Sequence, residues 1–438
     1  METYWHSVTL DRDLCKGCTN CLKHCPTQAI RIQKGKAKIL KERCIDCGEC
    51  IRVCPYHAKK AVADSLEMLE SFKYNVALVA PAFYGQFSKT ESVDVILSAL
   101  LDLGFDDVFE VARGAQIVTE KTKELLASGE LMKPAISSAC PAVLRLIAIK
   151  FPNLIANIVP LKSPMEISAE QARIEAVKKT GLKPDEIGVF FISPCAAKAT
   201  FVKGNYTVKK SEVDGVIPIK SICITMSRTV NKIAEENVRE LRNAGKSGVI
   251  WATSGGEAES SGAEKVIAVD EIHNVIKLFE EIEDGKHGDI DYVEALACPG
   301  GCVGGPLTTE NSFSARSKIQ RICKKLDDGM LPFYESIKMF WDESIVYRPI
   351  MNLDSDINVA MQKMMKIEEI YEGFPKIDCG SCGSPSCRAL AEDIVRGYAR
   401  ETDCIFKLRE KVSALAHDMI ELENLNMHLP QTNKQEEK

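Results

Sequence analysis

The distribution of cysteine constrains this chain more than any other feature of its sequence. Eighteen cysteines occur in 438 residues, and only Cys223 and Cys323 stand outside four groups of four. In the reducing cytoplasm, cysteines grouped in this way serve metal sites rather than disulfides. The grouping therefore predicts four metal centres. The length exceeds what a single hydrophobic core can organise, so we expect about two to four domains.

Composition and charge exclude several classes of protein. Hydrophobic residues make up 45% of the chain and charged residues 27%, as in soluble globular proteins. The net charge of −6 gives no reason to expect a nucleic acid or a membrane surface as a partner. No apolar run approaches the about 20 residues that span a bilayer. The first residues have neither the basic nor the apolar part of a secretion signal, so we expect a cytoplasmic protein.

Two N-terminal runs, at residues 15–25 and 44–54, repeat the pattern C-x-x-C-x-x-C-x-x-x-C-P. Three thiolates from one tight loop and a fourth from elsewhere suit a 4Fe-4S cubane, and in two-cluster ferredoxins the fourth cysteine of each run ligates the other cluster. Zinc is the alternative, but zinc modules normally use well-separated C-x-x-C pairs. The repeat predicts a bacterial-type two-cluster ferredoxin domain over residues 1–65. Its clusters would use Cys15, Cys18, Cys21 and Cys54, and Cys44, Cys47, Cys50 and Cys25.

From about residue 75 the sequence alternates between strand and helix signals. Short apolar runs predict buried strands, and 3.6-residue periodicity predicts helices between them. The predicted strands are 75–80, 107–111, 135–139, 187–193 and 248–254, with helices at 90–103 and after Pro141. Loops at strand ends are where α/β proteins place their sites, and two of these strands lead directly into Cys140 and Cys195. The sequence therefore predicts an α/β domain with cysteines at its strand ends.

The third cysteine group ends in the segment Ala297-Cys-Pro-Gly-Gly-Cys302. If the backbone turns helically after the proline, the thiols of Cys298 and Cys302 share one face. Glycine lacks a Cβ and lets the chain approach a bulky inorganic group closely. A glycine-rich turn with two buried structural cysteines is the alternative.

Three segments in this domain resemble, in order, the signature loops of FeFe-hydrogenases: residues 137–141, 193–198 and 294–302. The resemblance implies a two-lobed α/β catalytic domain over residues 70–345 with an H-cluster between the lobes. Cys140, Cys195, Cys298 and Cys302 would ligate a 4Fe-4S cubane. Cys302 would also bridge to a two-iron subsite that carries CO, cyanide and an azadithiolate. The implied reaction is the interconversion of H2 with protons and electrons.

The resemblance also implies roles for residues around the subsite. Lys198 matches the lysine that hydrogen-bonds a cyanide ligand, and a buried anionic ligand does call for a charged donor. The segment Ala80-Pro81-Ala82 matches the backbone that lines the subsite, and Pro194 precedes the second cysteine ligand.

The departures from the family pattern keep the four cysteines and change residues that the resemblance places around the subsite. Ala139 stands where active members have a second cysteine, which passes protons to the bridging dithiolate, and a methyl group cannot do so. Ser193 and Leu296 replace methionines, and Met165 replaces a common glutamine. This pattern resembles the sensory branch of the family. Because groups around a metal site tune its potential and its access to protons, we expect low turnover.

The fourth cysteine group lies in the segment 378–404, after a helical connector predicted at 346–376. Cys379, Cys382 and Cys387 lie on a glycine–serine loop, and Cys404 follows a helix. The segment resembles the small 4Fe-4S domain of corrinoid iron–sulfur proteins and sensory hydrogenases, which predicts a cluster domain over 377–404. Zinc is the alternative.

Residues 405–438 begin with apolar residues at spacings of 3, 4, 3, 4 and 3, from Ile405 to Leu422. This a/d pattern covers nearly three heptads and predicts an amphipathic helix. It would join a second copy or a signalling partner, or else pack on its own domain. The polar residues after 430 are expected to be disordered.

Two functional hypotheses follow. The first is a slow FeFe-hydrogenase that reports H2 or redox state, with a ferredoxin-like electron carrier and hydrogenase maturation proteins as partners. The excess of 12 Lys and Arg over 6 Asp and Glu in residues 1–60 suits docking of an acidic carrier. The second is an iron–sulfur protein of the same fold without the two-iron subsite, active in electron transfer or cluster assembly. Lys198 and the Cys298–Cys302 loop favour the first.

The cysteine assignment predicts the iron content. Four cubanes on sixteen cysteines require about 16 Fe per chain after anaerobic reconstitution, before a two-iron subsite is added. Metal analysis checks this number. About half that iron, or zinc at the C-terminal site, would contradict the assignment.

Overall fold

The structure is a computed structural model, and it describes residues 5–88, 90–204, 206–226, 230, 238–328 and 337–427. Two compact units divide the chain. The first contains residues 1–15 and 39–351, and the second contains residues 16–38 and 352–438.

Eleven strands lie within the described residues: β1 Val8–Leu10, β2 Ile30–Gln33, β3 Lys36–Ile39, β4 Lys59–Ala61, β5 Tyr74–Val79, β6 Asp107–Glu110, β7 Ala135–Ile136, β8 Ile187–Ser193, β9 Gly215–Pro218, β10 Val266–Val269 and β11 Tyr292–Ala295. The α-helices of the same residues are α1 Asn20–Lys23, α2 Glu49–Arg52, α3 Val93–Leu101, α4 Val111–Ser128, α5 Pro141–Lys150, α6 Pro164–Thr180, α7 Ala196–Gly204, α8 Ile219–Met226, α9 Lys246–Val249, α10 Gly256–Ser260, α11 Ile272–Glu283, α12 Ser312–Cys323, α13 Ile357–Glu372, α14 Cys387–Val395 and α15 Ile405–Met427.

The first unit contains a parallel sheet with strand order β6-β5-β8-β9. Its central strand β5 is buried on both faces: Val76 and Leu78 pack in one apolar cluster with residues of α6, and Ala77 and Val79 pack in another with residues of α3. Burial on both faces explains why this strand is a continuous apolar run rather than an alternating one. The α/β class is confirmed.

A second parallel sheet in the same unit has the order β10-β11-β7. Parallel strands end at one edge, so β7 and β11 bring the loops that follow them to the same side. The loop after β7 leads to Cys140, and the loop after β11 leads to Cys298. In the four-stranded sheet, β8 leads to Cys195 in the same way.

The strand expected at 248–254 is wrong. This segment forms the end of α9 and a 3-10 helix at Ile250–Ala252. A short apolar run cannot by itself distinguish a buried strand from a buried helical turn. The other predicted strands and helices of the α/β domain are present, with bounds that differ by a few residues.

A buried aspartate ties the second N-terminal cysteine run to the rest of the first unit. Asp46 lies between Cys44 and Cys47 and is 1% exposed. Its carboxylate accepts hydrogen bonds from the backbone of Val8 at 3.0 Å and from Thr200 Oγ1 at 2.9 Å. The guanidinium of Arg145, on α5, lies 3.5 Å from the same carboxylate. The cysteine run is therefore held by side chains of α5 and α7.

The second unit has its own small core, formed where α13 and α14 pack together. Ile367 and Leu390 lie at its centre, and Cys382, Cys387 and Cys404 pack in the same cluster. From Cys404 the chain continues into α15, whose described side chains, up to residue 424, are exposed apart from the half-buried Lys407. The apolar side chains of this helix are therefore not buried against its own domain in the described residues.

Within the described residues, none of the helices is both long enough and apolar enough to cross a lipid bilayer.

Candidate active site

Four cysteines from three loops converge on one cavity of about 90 Å³ in the first unit. Cys140 precedes α5, whose first residue is Pro141, and Cys195 precedes α7. Cys298 and Cys302 flank the turn that follows β11. The loops at the carboxyl ends of three parallel strands thus supply all four thiols.

Most other residues singled out from the sequence line the same cavity. They are Ala80, Pro81, Ala82, Ala139, Met165, Pro194, Lys198 and Leu296. Ser193 has a different place: it is fully buried at the end of β8, and its hydroxyl accepts a hydrogen bond from the backbone N–H of Cys195 at 3.1 Å. It fixes the loop that carries the cysteine.

The cavity is unfavourable for bare thiolates. Burial, together with the neighbouring Cys298 and Cys140 thiols, raises the pKa of the Cys195 thiol to about 12. Burial and the other cysteines also raise the pKa values of Cys298 and Cys302. Thiolates gathered here therefore need a cation beside them, and a bound metal ion provides one.

Lys198 is the cationic side chain of the cavity wall. It lies on the first turn of α7, and burial lowers the pKa of its amine although the thiols around it act in the opposite direction. Its Nζ lies 6.0 Å from the centre of the Phe201 ring. A buried amine beside four thiols suits an anionic group in the cavity.

In the loop that follows β11, Gly301 and Gly305 lie too close to other backbone segments to carry a side chain. Gly301 has φ +95°, and a Cβ there would lie 2.5 Å from the backbone nitrogen of Ser254. At Gly305 a Cβ would lie 2.2 Å from the carbonyl oxygen of Pro194. Both distances are shorter than real Cβ atoms tolerate, so these positions need glycine because other backbone segments pack against them.

The donor set fits an iron–sulfur cubane. Cubanes are ligated by thiolates, and here the sulfur atoms of four cysteines face an apolar cavity. The wall also offers small or apolar residues at positions 80–82, 139 and 296, which leaves space beside the cysteines for a further group.

Sequence reasoning missed a buried carboxyl cluster next to the cavity. Glu257, on α10, lines the cavity and accepts hydrogen bonds from Ser137 Oγ at 2.8 Å and from Tyr292 OH at 2.5 Å. The Ser137 hydroxyl in turn accepts from the backbone N–H of Ala139 at 3.2 Å. Glu294 accepts from the backbone of Ala258 at 2.7 Å. No sequence motif marks Glu257, and it reaches the cavity wall only because α10 folds against it.

Burial, together with the nearby Glu294 carboxylate, raises the pKa of Glu257 to about 8. A carboxyl of this kind holds its proton near neutral pH and can release it. By contrast, the acidic residues of α4 are partly exposed, where Glu120 pairs with Lys123 at 2.7 Å and Glu124 with Lys121 at 2.6 Å.

Arg52 is a second residue that the sequence did not single out. It ends α2, within the second cysteine run, and its Nη1 lies 3.6 Å from Cys298 Sγ and 3.5 Å from the carbonyl oxygen of Gly304. Glu49 accepts from its Nη2 at 2.6 Å and stabilises the charge. Burial acts to lower the pKa of Arg52, but the charges of Cys298 and Glu49 outweigh it and raise that pKa. A fixed guanidinium beside the Cys298 sulfur would favour the more negative state of a group bound to that sulfur.

The remaining predicted metal ligands lie on both units. Cys15, Cys44, Cys47, Cys50 and Cys54 belong to the first, and Cys18, Cys21, Cys25, Cys379, Cys382, Cys387 and Cys404 belong to the second. In the second unit a side-chain hydrogen bond from Ser381 lowers the pKa of Cys379, whereas burial raises the pKa of Cys382.

The buried carboxyl of Glu257 predicts a pH dependence of stability. Its pKa is raised from 4.5 to about 8, so the folded chain holds a proton that the unfolded chain releases. Its contribution is present in full below pH 4.5 and is lost as the pH rises towards 8. We expect Glu257→Gln to flatten the decline of the melting temperature over this range. Glu120→Gln on the exposed surface is the control, and equal pH profiles for wild type and Glu257→Gln would contradict the assignment.

Comparison with known proteins agrees with this geometry. The family model described as "Iron only hydrogenase large subunit, C-terminal domain" matches residues 73–306, more than half of the chain. A "4Fe-4S dicluster domain" matches residues 7–55, and a "Putative Fe-S cluster" domain matches residues 374–406. These matches confirm the predicted ferredoxin-type and iron–sulfur character of the terminal cysteine groups.

Two curated relatives are similar over much of the chain. Iron hydrogenase 1 of Clostridium pasteurianum is 26% identical over 68% of this chain and 64% of its own length. The periplasmic [Fe] hydrogenase large subunit of Nitratidesulfovibrio vulgaris is 24% identical over 68% of this chain and 86% of its own length. The chain thus spans slightly less than two thirds of the first relative.

A solved [FeFe]-hydrogenase structure, HydA(deltaEFG), aligns with 73% of this chain and 94% of its own length, at 17% identity and a TM-score of 0.45. The family assignment rests on the domain match, which contains all four cavity cysteines. The chain belongs to the iron-only hydrogenase large-subunit family.

Proposed function

We propose that this protein is an FeFe-hydrogenase that interconverts H2 with protons and electrons at an H-cluster, slowly, and that it reports H2 or redox state. One observation carries the proposal: four cysteines from three loops face one buried cavity whose wall also holds the amine of Lys198. A cavity built only for a structural cubane needs no such cation and no space beside the thiols.

The chain offers separate places for the two parts of the H-cluster. Cys140, Cys195, Cys298 and Cys302 would hold the cubane, and Cys302 would also bridge to the two-iron subsite. That subsite, with its CO, cyanide and azadithiolate ligands, supplies the centre at which H2 is bound and split. Lys198 would donate a hydrogen bond to an anionic ligand, and the segment 80–82 would exclude water.

Proton transfer explains why the reaction should be slow. The methyl group of Ala139 can neither accept nor donate a proton, so the short route at this position is missing. Glu257 lies in the cavity wall, and Ser137 joins its carboxyl to the backbone of Ala139 through hydrogen bonds. Its raised pKa lets it hold a proton near neutral pH. We infer that Glu257 supplies protons in place of the absent thiol, at a longer distance.

The alternative is a protein of this fold that lacks the two-iron subsite and acts in electron transfer or iron–sulfur assembly. Infrared spectroscopy of the anaerobically matured protein separates the two. Bound CO and cyanide absorb in a region without protein bands, and we expect both sets of bands. Their absence from matured protein that holds its full cubane content would favour the alternative.

The missing thiol predicts the rate of H2 evolution. Acid–base help from one positioned group is typically worth ~100- to 10,000-fold, so turnover should lie below that of relatives with cysteine at position 139 by a factor in that range. Ala139→Cys should recover part of it, because Ser193, Leu296 and Met165 also differ. Ala139→Ser, which restores a hydroxyl of similar size but not the thiol, is the matched control. Wild-type turnover equal to that of fast relatives would refute this account.

The partners follow from the same proposal. Assembly of a two-iron subsite requires hydrogenase maturation proteins, and electron transfer to or from the subsite requires a ferredoxin-like carrier in the cytoplasm.

The domains of this protein would have the extents expected from the sequence: 1–65 for the ferredoxin domain, 70–345 for the H-cluster domain, 346–376 for the connector, 377–404 for the C-terminal cluster domain and 405–438 for the helix and tail.

A signalling role needs a contact surface, and α15 offers one. Its apolar seam is about half exposed at every a and d position: Ile405, Leu408, Val412, Leu415, Met419 and Leu422. In an antiparallel pair that aligns the whole seam, Lys411 would lie near Asp418 of the second copy. In a parallel pair, Asp418 would face Glu423, and like charges repel. The charge pattern thus favours an antiparallel homodimer.

We expect Leu415→Asp to weaken this dimer, because it places a carboxylate in the apolar seam. Light scattering of the reduced and oxidised protein measures the mass, and dimer formation should differ between them since α15 begins directly after Cys404. Ala414→Asp, one residue away and outside the seam, is the control. A monomer in both redox states, or equal effects of the two substitutions, would show that the seam does not mediate association.

A further inference from the structure

The second unit joins two cysteine segments that are far apart in sequence. One is the first ferredoxin run from Cys18 to Cys25, and the other is the C-terminal group of Cys379, Cys382, Cys387 and Cys404. Both segments match iron–sulfur families. What holds them together is visible in the packing of the hairpin β2–β3 against the C-terminal domain.

A buried, bidentate ion pair forms the centre of this contact. Arg31, on β2, is 5% exposed, and Asp393, on α14, is 4% exposed. Arg31 Nε lies 2.5 Å from Asp393 Oδ2, and Nη2 lies 3.0 Å from Oδ1. Ser384 Oγ donates to the same carboxylate at 2.9 Å. Arg31 Nη1 donates to the carbonyl oxygens of Gln28 at 2.7 Å and Ile30 at 3.0 Å, so each charge is fully coordinated.

The backbones of the two segments are also in direct contact. The N–H of Ile32 donates to the carbonyl oxygen of Gly383 at 2.8 Å. Gly383 has φ +86°, and a Cβ there would lie 2.1 Å from the carbonyl oxygen of Ile32. The cysteine loop of the C-terminal domain can therefore take this position only with glycine at 383.

The contact extends to residues that lie beside the predicted ligands. Gly380 lies between Cys379 and Cys382, and a Cβ there would lie 3.5 Å from Leu22 Cδ2 and 3.6 Å from Lys23 Cε. Leu22 and Lys23 belong to α1, the helix that carries Cys21. The residues beside one set of predicted ligands therefore touch the residues beside the other.

We propose that the C-terminal cluster exchanges electrons directly with the ferredoxin cluster to which Cys18 and Cys21 contribute, and that the Arg31–Asp393 pair positions the two for this transfer. In each step one electron leaves the reduced cluster and enters the oxidised one, and no bond or proton is exchanged. The inference rests on the proposed iron–sulfur assignments of these cysteines. It means that electrons enter or leave the ferredoxin domain through the C-terminal cluster.

A fixed contact is needed because electron tunnelling falls steeply with distance. Ion pairs at exposed positions exchange freely with water, but a pair that is buried and hydrogen-bonded on both sides keeps one geometry. The second unit carries such an exposed pair as well: Arg388 and Glu368, about half exposed, at 2.5 Å. The two pairs provide a matched comparison within one unit.

Electron paramagnetic resonance of the full-length, anaerobically reconstituted and reduced chain tests the proposal. We expect magnetic coupling between the two reduced clusters, seen as split signals and faster relaxation. The coupling should disappear in Cys404→Ala, which removes a ligand of the C-terminal cluster, and in Asp393→Asn at unchanged iron content. Glu368→Gln should leave it intact.

A second variant covers the case in which Asp393→Asn does not fold or loses iron. Arg31→Met combined with Asp393→Leu replaces the ion pair by apolar side chains, which a buried contact tolerates, and removes the fixed geometry. Coupling that is absent from the wild type, or that persists at full strength in the folded ion-pair variants, would overturn the proposal. The readout uses only the cubanes, so a failure of the hydrogenase proposal, seen as missing CO and cyanide bands, would not affect it.

Discussion

The arrangement of the first unit depends on bringing four thiols into one apolar cavity. Such thiols repel one another once ionised and are poorly solvated, as the raised pKa of Cys195 indicates. The four cysteines are held in place by regular secondary structure. Each lies in a loop that follows a buried parallel strand, and Cys140 and Cys195 directly precede helices. The glycines of the third loop then allow its backbone to lie against that of the second at Pro194. The cavity is consequently defined by backbone packing before any metal is bound.

The second N-terminal cysteine run is built into this cavity. Arg52 reaches Cys298 Sγ across 3.6 Å, and Gly48 packs so closely on Pro306 that a Cβ would lie 2.4 Å from its ring. The positive charge beside the Cys298 sulfur and the close backbone contact at Gly48 both connect the second cysteine run to the cavity. The first run, in contrast, belongs from Cys18 onward with the C-terminal domain in the second unit. The two halves of one sequence repeat thus have different structural partners.

Much of the fold, and the cysteines that line the cavity, could be predicted from the sequence because cysteine spacing and buried strands leave local signals. The strand leading to Cys195 is one example. The segment around Trp251 was misassigned as a strand, since its apolar run is too short to reveal a period. Glu257 and Arg52 could not have been found by any local rule. Both acquire their roles through residues far along the chain, Ser137 and Cys298, and such proximity exists only in the folded protein.

The carboxylate of Asp46 has a consequence for the evolution and engineering of this protein. Judged by its cysteine pattern alone, a ferredoxin module could be replaced by one from another protein. Here, however, the loop between two of its cysteines carries a buried charge that Thr200 and Arg145 coordinate from the hydrogenase-type domain. A foreign module without this aspartate would leave a guanidinium in the interior without its carboxylate, at a high cost in stability. Residues 46, 145 and 200 therefore have to change together, and chimeras made by replacing the cysteine run alone should fold poorly.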